Sequence, residues 1–315
     1  MADLRLLGGH EVEGLLDLDR LVDALADAMA DLSAGRASVP ERVAAMVEGK
    51  DAFLGAMPAY LPGRATLAAK LVTVFPHNRG LPSHHALVCV FDPETGAPRA
   101  VMDGGYLTAA RTAAGSRLSV RLLARADARV LAVVGTGVQA RSHLAAMRRE
   151  RAWDEVRVAG RDPGRAREVA AEFGAVACES YEQAVRGADV VCATTHSSEP
   201  VVRRAWLAPG AHVTSVGFNP DGREVDGETV RDSLVVVESR AAALAPFPAG
   251  SSDLLLAIEA GLITPDHVRT EIGELVLGTR PGRGDPARLT LYKSVGVAAQ
   301  DAAAASLVLE AAEAG

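Results

Sequence analysis

The stretch ARVLAVVGTGVQA (residues 128–140) decides how this chain is read. Apolar, mostly β-branched residues fill 130–134, and a pattern of helical spacing begins after Gly137, so a strand runs through a tight turn into a helix. The turn, Gly135-Thr-Gly-Val-Gln-Ala140, has the form G-x-G-x-x-A. Gly135 permits the sharp reversal, Gly137 lets backbone amides approach a pyrophosphate, and Ala140 lets the helix pack closely on the strand. With Val138 and Gln139, which open the helix, these glycines are candidate contacts to a dinucleotide. Such a motif is weak alone; the strand before it, the helix after it and the next strand, EVRVAG (155–160), make it specific.

Downstream, ADVVCATT (188–195), HVTSVGF (212–218) and SLVVVES (233–239) are further buried strands, most of them separated by helical stretches, which is the pattern of a doubly wound parallel sheet. The closing segment, LTLYKSVGVAAQDAAAASLVLEAA (289–312), is long enough to leave that sheet and pack back on the N-terminal part. Upstream, apolar residues at helical spacing between Leu15 and Leu32 predict an amphipathic helix. TLAAKLVTVF (66–75) and HALVCVFD (85–92) follow as strands, and the turn DPETG (92–96) joins the latter to RAVMD (99–103) in a hairpin. An Ala-rich helix from Leu107 to Ala126 carries the chain onward. The fold class is therefore α/β: a doubly wound parallel (Rossmann) sheet, 118–291, inserted into an α+β domain made of 1–117 and 292–315.

At the end of the second parallel strand, where an acidic residue would bind a ribose 2′-hydroxyl, this chain has Gly160 followed by Arg161. Removal of the carboxylate relieves repulsion of a 2′-phosphate and a guanidinium can fork onto it, so NADP(H) is preferred and NAD(H) remains possible. In the other reading, Arg161 is a solvated loop residue beside a helix cap at Asp162. Acidic and basic residues are interspersed, the net charge is −7, and no basic stripe with aromatics is present, which argues against nucleic acid. Cys89, Cys178 and Cys192 are odd in number and far apart, so neither a metal cluster nor a disulfide framework is expected and buried thiols are. Without a leader-like N-terminus or an apolar run of membrane length, the chain reads as cytoplasmic and not bound to membrane.

FLGAMPAY (53–60), AAKLVTVFPHNRGLPSHHA (68–86), DPETGAPRAVMDG (92–104), LTAARTAAGS (107–116), GTGVQAR (135–141), SVGFNPDGREVD (215–226) and YKSVGVAAQD (292–301) occur in this order. Through them the chain resembles the ornithine cyclodeaminase and mu-crystallin family over nearly its whole length. The resemblance implies a homodimer whose substrate-binding domain comprises the N-terminal part and the last helix, with a small imino or amino acid placed beside a nicotinamide. It also implies that Arg42, Lys70 and Arg111 hold the substrate carboxylate. Lys70 supports this from its own setting, since a charge inside the apolar strand LAAKLVTVF requires a partner.

By the same resemblance Ser83, Arg111, Thr112, Thr195, Val216, Gly217, Arg223 and Ser294 contact the cofactor, and Val295 approaches the substrate; a helix N-cap is the plainer reading of Ser294. His84 either handles protons near the nicotinamide or is a hydrogen-bonded structural residue. The sharpest departure is Asn219, where cyclodeaminases and alanine dehydrogenase-like members carry an Asp. An amide cannot take a proton from a substrate ammonium, whereas reduction of an iminium needs chiefly a hydride and a well-held carboxylate. Asp221 would supply a displaced carboxylate. The expected activity is NAD(P)H-dependent reduction of cyclic or linear ketimines of the Δ1-pyrroline-2-carboxylate and Δ1-piperideine-2-carboxylate type to amino acids, with Lys70, His84 and Asn219 as the catalytic candidates. The alternatives are an ornithine cyclodeaminase or alanine-dehydrogenase-like enzyme, and a mu-crystallin-like binding protein without turnover.

Overall fold

A computed structural model describes residues 4–315 apart from Pro220, Asp221 and Pro248. The chain divides into two compact units, residues 1–111 with 296–315, and residues 112–295. The divisions thus fall at 111/112 and 295/296, where the sequence reading drew them at 117/118 and 291/292.

In the first unit the elements are β1 (Arg5–Leu7), α1 (Gly9–Leu15), α2 (Leu18–Ser33), β2 (Val43–Val47), β3 (Ala52–Leu61), β4 (Thr66–Val74), β5 (His84–Phe91), β6 (Pro98–Asp103) and the start of α3 (Gly104–Leu123). They form one six-stranded sheet of order β1-β6-β5-β4-β3-β2, antiparallel except for the β1–β6 pair. The helix expected over Leu15–Leu32 is present as α2, starting three residues later at Leu18; a separate short helix, α1, ends at Leu15, and Asp17 caps α2 by accepting from the N–H groups of Asp19 and Arg20. At the β5–β6 hairpin, Asp92 accepts from the N–H groups of Glu94 and Thr95 and closes the turn. The last helix of the chain (Ala298–Ala314) packs on β3, β4 and β5 beside α2. Ala298 through Leu309 are all buried, because a run so rich in alanine lets a sheet approach a helix closely from several sides.

The second unit continues α3 and adds β7 (Val130–Val134), α4 (Val138–Glu150), β8 (Glu155–Ala159), α5 (Pro163–Glu172), β9 (Val176–Ala177), α6 (Tyr181–Val185), β10 (Val190–Ala193), β11 (His212–Ser215), α7 (Gly227–Asp232), β12 (Ser233–Val237), α8 (Arg240–Leu244), α9 (Ser252–Glu259), β13 (Thr270–Glu271), α10 (Ile272–Val276) and β14 (Leu289–Lys293), so that the last helix is α11. All pairs in its sheet, ordered β13-β12-β14-β11-β10-β7-β8-β9, are parallel. The five strands read from the sequence are present, and one expectation is corrected. LTLYK does not leave the sheet: as β14 it lies between β11 and β12 with all five residues buried, and only the chain after Val295 belongs to the first unit. Two of the three cysteines are buried as expected, whereas Cys89 is only partly so.

Two buried histidines tie α3 and α4 to this sheet. His143 donates from Nδ1 to the carbonyl of Gln139 and accepts at Nε2 from Ser116. His212 lies between Ser119 and Thr290, and the Ser119 hydroxyl is already committed to the carbonyl of Ser116, so His212 is the neutral Nε2–H tautomer. Burial lowers His143 to about 4 and His212 to about 3, the latter helped by Arg283 and Arg151. Both stay neutral in the native state while the unfolded chain protonates them near 6.5, so their contribution is complete above pH 6.5 and is lost as pH falls toward the native values. Unfolding free energy from denaturant titrations should fall between pH 6.5 and 5, above the range of most carboxylates, by about 1 to 2 kcal/mol per histidine. The decline should be shallower in His143→Gln, and a flat wild-type profile would show that these rings are not held neutral.

Candidate functional site

In the first unit the cations gather around a carboxylate. Lys70 projects from β4 onto the face that α11 covers and is 3% exposed. Its Nζ lies 2.8 Å from Asp301 Oδ2, while Arg111 Nε donates to Asp301 Oδ1 at 2.9 Å. Arg111 Nη1 also donates to Gln300 Oε1 at 3.0 Å, and the half-buried Arg42 donates from Nη2 to the carbonyl of Gly296 at 2.8 Å. Lys70 and Arg111 thus share one carboxylate, with Arg42 close enough to Lys70 to act on its charge, and the pair's excess of positive charge over Asp301 suits an anion. Burial lowers Lys70 to about 8, with Asp301 opposing the change and Arg111 and Arg42 adding to it. Burial would raise Asp301, yet Arg111 and Lys70 together hold it below the usual carboxylate range.

Ser83 and His84 stand apart from this group. The Ser83 hydroxyl and His84 Nδ1 are 3.0 Å apart, and the imidazole is exposed at the start of β5. His84 pairs with Val74 as Val88 pairs with Lys70, so it shares a sheet face with Lys70 but lies ~13 Å along the strand. The structure does not bring the two together.

In the second unit the Gly135–Ala140 turn has the expected local form. Gly135 adopts φ +128°, and a Cβ there would sit 2.4 Å from Thr194 Oγ1 and 2.9 Å from its carbonyl oxygen, so only glycine fits. Gly137 caps α4 with open space where a side chain would begin, Val138 is exposed, and Ala140 is fully buried against the sheet. Gln139 Oε1 is buried without a hydrogen-bond partner among the described residues. An open glycine, the free N–H groups of a helix start and an unsatisfied amide fit the pyrophosphate of a dinucleotide. At the end of β8, a Cβ on Gly160 would lie 2.5 Å from Thr136 Cγ2, so the glycine also makes room for Thr136. Arg161 is exposed next to it, and Asp162 caps α5 as the alternative reading required.

The remaining candidates lie at or near the carboxyl ends of β10, β11 and β14, with acidic residues between them that sequence reasoning missed. Glu224 accepts at Oε1 from the Thr195 hydroxyl, 2.8 Å, and from the Thr195 N–H. Its Oε2 accepts from the Ser215 hydroxyl at 2.7 Å and the Gly217 N–H at 2.9 Å. Lys293 Nζ reaches Asp253 Oδ2 (2.8 Å), Ser215 Oγ (3.0 Å) and the Gly217 carbonyl (2.8 Å), which uses all three of its donors. Burial raises Glu224, with Lys293 opposing and Asp253 adding to the rise. Val216 is bound through its N–H to the Ala193 carbonyl, and the Arg223 N–H reaches the Ser198 carbonyl. Ser294 is not a helix N-cap, since α11 begins at Ala298; its hydroxyl donates to Glu238, which also takes the N–H of Val295. Thr112 is buried within α3, and the Asn219 carbonyl accepts from Ser252. Asp221 lies outside the described residues. Asp301, Lys293 and Glu224 each carried the signal already used for Lys70, a charge set among apolar or tightly turning residues.

Among the described residues no helix is long and apolar enough to cross a membrane, and no group of His, Cys, Asp and Glu could hold a metal ion. Across 280 residues the chain is 38% identical to the ketimine reductase mu-crystallin of Mus musculus, covering 86% of this chain and 84% of the relative. Among solved structures, it matches the Δ1-pyrroline-2-carboxylate reductase of Thermococcus litoralis in complex with NADH and L-proline at a TM-score of 0.92 and 35% identity, with 98% of both chains covered. An archaeal alanine dehydrogenase dimer with bound NAD matches at a TM-score of 0.91 and 32% identity over 99% of this chain and 96% of that one. The ornithine cyclodeaminase/mu-crystallin family model aligns with residues 4–315, and the chain belongs to that family.

Proposed function

We propose that this protein is an NAD(P)H-dependent reductase that converts a small α-imino acid, cyclic or linear, to the amino acid, with NADPH as the preferred cofactor. The observation that carries this reading is the buried pair of Lys70 and Arg111 sharing the single carboxylate of Asp301, with the half-buried Arg42 beside them, a cationic seat for a substrate carboxylate. Relatives whose names state ketimine and pyrroline-2-carboxylate reduction support the class of reaction. A bound nicotinamide dinucleotide supplies the hydride. The turn residues Gly135, Gly137, Val138 and Gln139 would hold its pyrophosphate, and Thr195, Val216, Gly217, Arg223 and Ser294 its nicotinamide half, with Thr112 as a further contact from the same unit. Arg42, Lys70 and Arg111 would fix the substrate by its carboxylate, and protonated Lys70 would keep that anion's charge balanced as the imine is reduced. Asn219 offers no carboxylate to take a proton from an ammonium group, which favours reduction over deamination. The preference for NADPH rests on Gly160, where Thr136 fills the space an acidic side chain would need, and on the exposed guanidinium of Arg161.

We further infer a homodimer formed on the first unit's sheet. Val43, Leu54, Tyr60, Leu87 and Leu6 stand on the face away from α11, with Leu6 71% and Leu87 47% exposed, and the archaeal relative is a dimer. Apolar area of this kind on one face marks an association surface. Leu87→Asp should convert a dimer to a monomer in sedimentation velocity; a monomeric wild type would refute the pairing. The three cysteines are unpaired, in keeping with the cytoplasm.

An NADPH-oxidation screen over five- and six-membered cyclic imino acids, and over α-keto acids with ammonia or methylamine, tests the reaction. One NADPH should be consumed per amino acid formed, and Lys70→Met should lower kcat/KM by about 10- to 100-fold. Activity only with ornithine, with ammonia released and no net cofactor use, would identify a cyclodeaminase; tight NADPH binding without turnover would identify a carrier. Arg161→Ser should raise KM for NADPH about tenfold and leave that for NADH unchanged. An equal effect on both cofactors would remove Arg161 from the phosphate site.

A further inference from the structure

Of the 33 basic residues in this chain only Lys50, Lys70 and Lys293 are lysines. Arginine therefore serves nearly everywhere that a positive charge is needed, and two of the three lysines are buried, each against an aspartate at 2.8 Å. A lysine in such a place differs from arginine in one respect above others: its charge can be removed near neutral pH, and a partner decides at which pH. Lys293 has its three donors taken by protein acceptors, so it is a fixed tie. Lys70 is the lysine that stands among other cations.

We propose that Asp301 is the positioning residue of the carboxylate seat, holding Lys70 and Arg111 at a set separation and keeping Lys70 charged so that the seat accepts an anion. The inference rests on the reading of Lys70 as a carboxylate ligand. Its two oxygens are divided, one to Lys70 Nζ and one to Arg111 Nε, and the neighbouring Gln300 holds a second nitrogen of the same guanidinium. Asp301 and Gln300 are both 1% exposed, within the stretch of α11 from Ala298 to Leu309 that is buried throughout. The charged groups that face Lys70 are Asp301 from α11, Arg111 from α3 and Arg42 from the segment before β2. Asp301 is the one anion among these groups of the described residues. Burial and the two guanidinia favour the neutral amine, and Lys70 titrates at about 8 with Asp301 present. Without that carboxylate, burial and the two guanidinia would act unopposed, the amine would lose its proton at a lower pH, and the seat would lose a cation.

Because kcat/KM follows the ionisation of the free enzyme, wild-type kcat/KM for an anionic imino acid should decline above pH 8 as Lys70 loses its proton. In Asp301→Asn the decline should begin about 1 to 3 pH units lower. The deciding experiment is a titration of the full-length protein labelled with [ε-13C]lysine, whose three signals are assigned through Lys70→Arg, with Lys50 and Lys293 as references. The Lys70 signal should titrate near pH 8 in wild type and move down by about 1 to 3 units in Asp301→Asn. An unchanged Lys70 titration would overturn the inference while leaving the carboxylate seat in place. A shifted titration together with full activity in Lys70→Met would instead sink the seat and leave the Asp301–Lys70 coupling standing. Should Asp301→Asn fail to fold, Asp301→Glu takes its place. It should keep Lys70 titrating near 8 yet lower kcat/KM by about 10- to 100-fold through misplacement, and a variant with wild-type kcat/KM would contradict a positioning role.

Discussion

One shared carboxylate makes the rest of the first unit possible. Lys70 and Arg111 reach the interior from different elements, and two like charges brought out of water repel each other and lose their hydration. Asp301 answers both at once, and it does so from α11, a helix narrow enough in its side chains to lie directly on β4. Removing one partner from such a buried arrangement costs about 3 to 5 kcal/mol, so the group that we propose as an anion seat also binds α11 to the sheet. In the proposed function stability and binding become one constraint, since the carboxylate that balances Lys70 and Arg111 leaves them a net positive charge.

The second unit solves a related problem at the carboxyl edge of its parallel sheet. Three strands end there in irregular backbone whose N–H and carbonyl groups need partners. Glu224 accepts from Thr195, Ser215 and Gly217, and Lys293 joins Ser215, Gly217 and Asp253, so buried charges substitute for the ladder hydrogen bonds that the chain gives up as it turns. Loops held in this manner have little freedom, which suits a site that must present backbone to a flat ring without first ordering itself.

Much of this was legible in the residues. The parallel strands announced themselves as apolar runs, and Gly135, Gly137 and Ala140 marked the turn because backbone geometry there leaves few alternatives. Lys70 stood out because a charge inside a strand has to be explained. What stayed hidden were the partners. Asp301 is 231 positions from Lys70, and Glu224 meets Thr195 across 29, distances at which spacing carries no information about contact. The strand at Leu289–Lys293 was missed for a similar reason: its place between β11 and β12 depends on pairing with strands read long before it. His84, a residue type suited to proton transfer, stands four positions along the sheet from Lys70, a separation that follows from strand register and not from its place in PSHHA.

The central claim is that hydride ends on the carbon that bears the imine, beside a carboxylate held by Arg42, Lys70 and Arg111. Turnover of a cyclic imino acid with NADPH deuterated at the transferable position of the ring tests it most directly, read by mass spectrometry of the amino acid formed. The account predicts one deuterium per molecule, on the α-carbon. Product without deuterium, or ammonia released while the labelled cofactor is left intact, would contradict it.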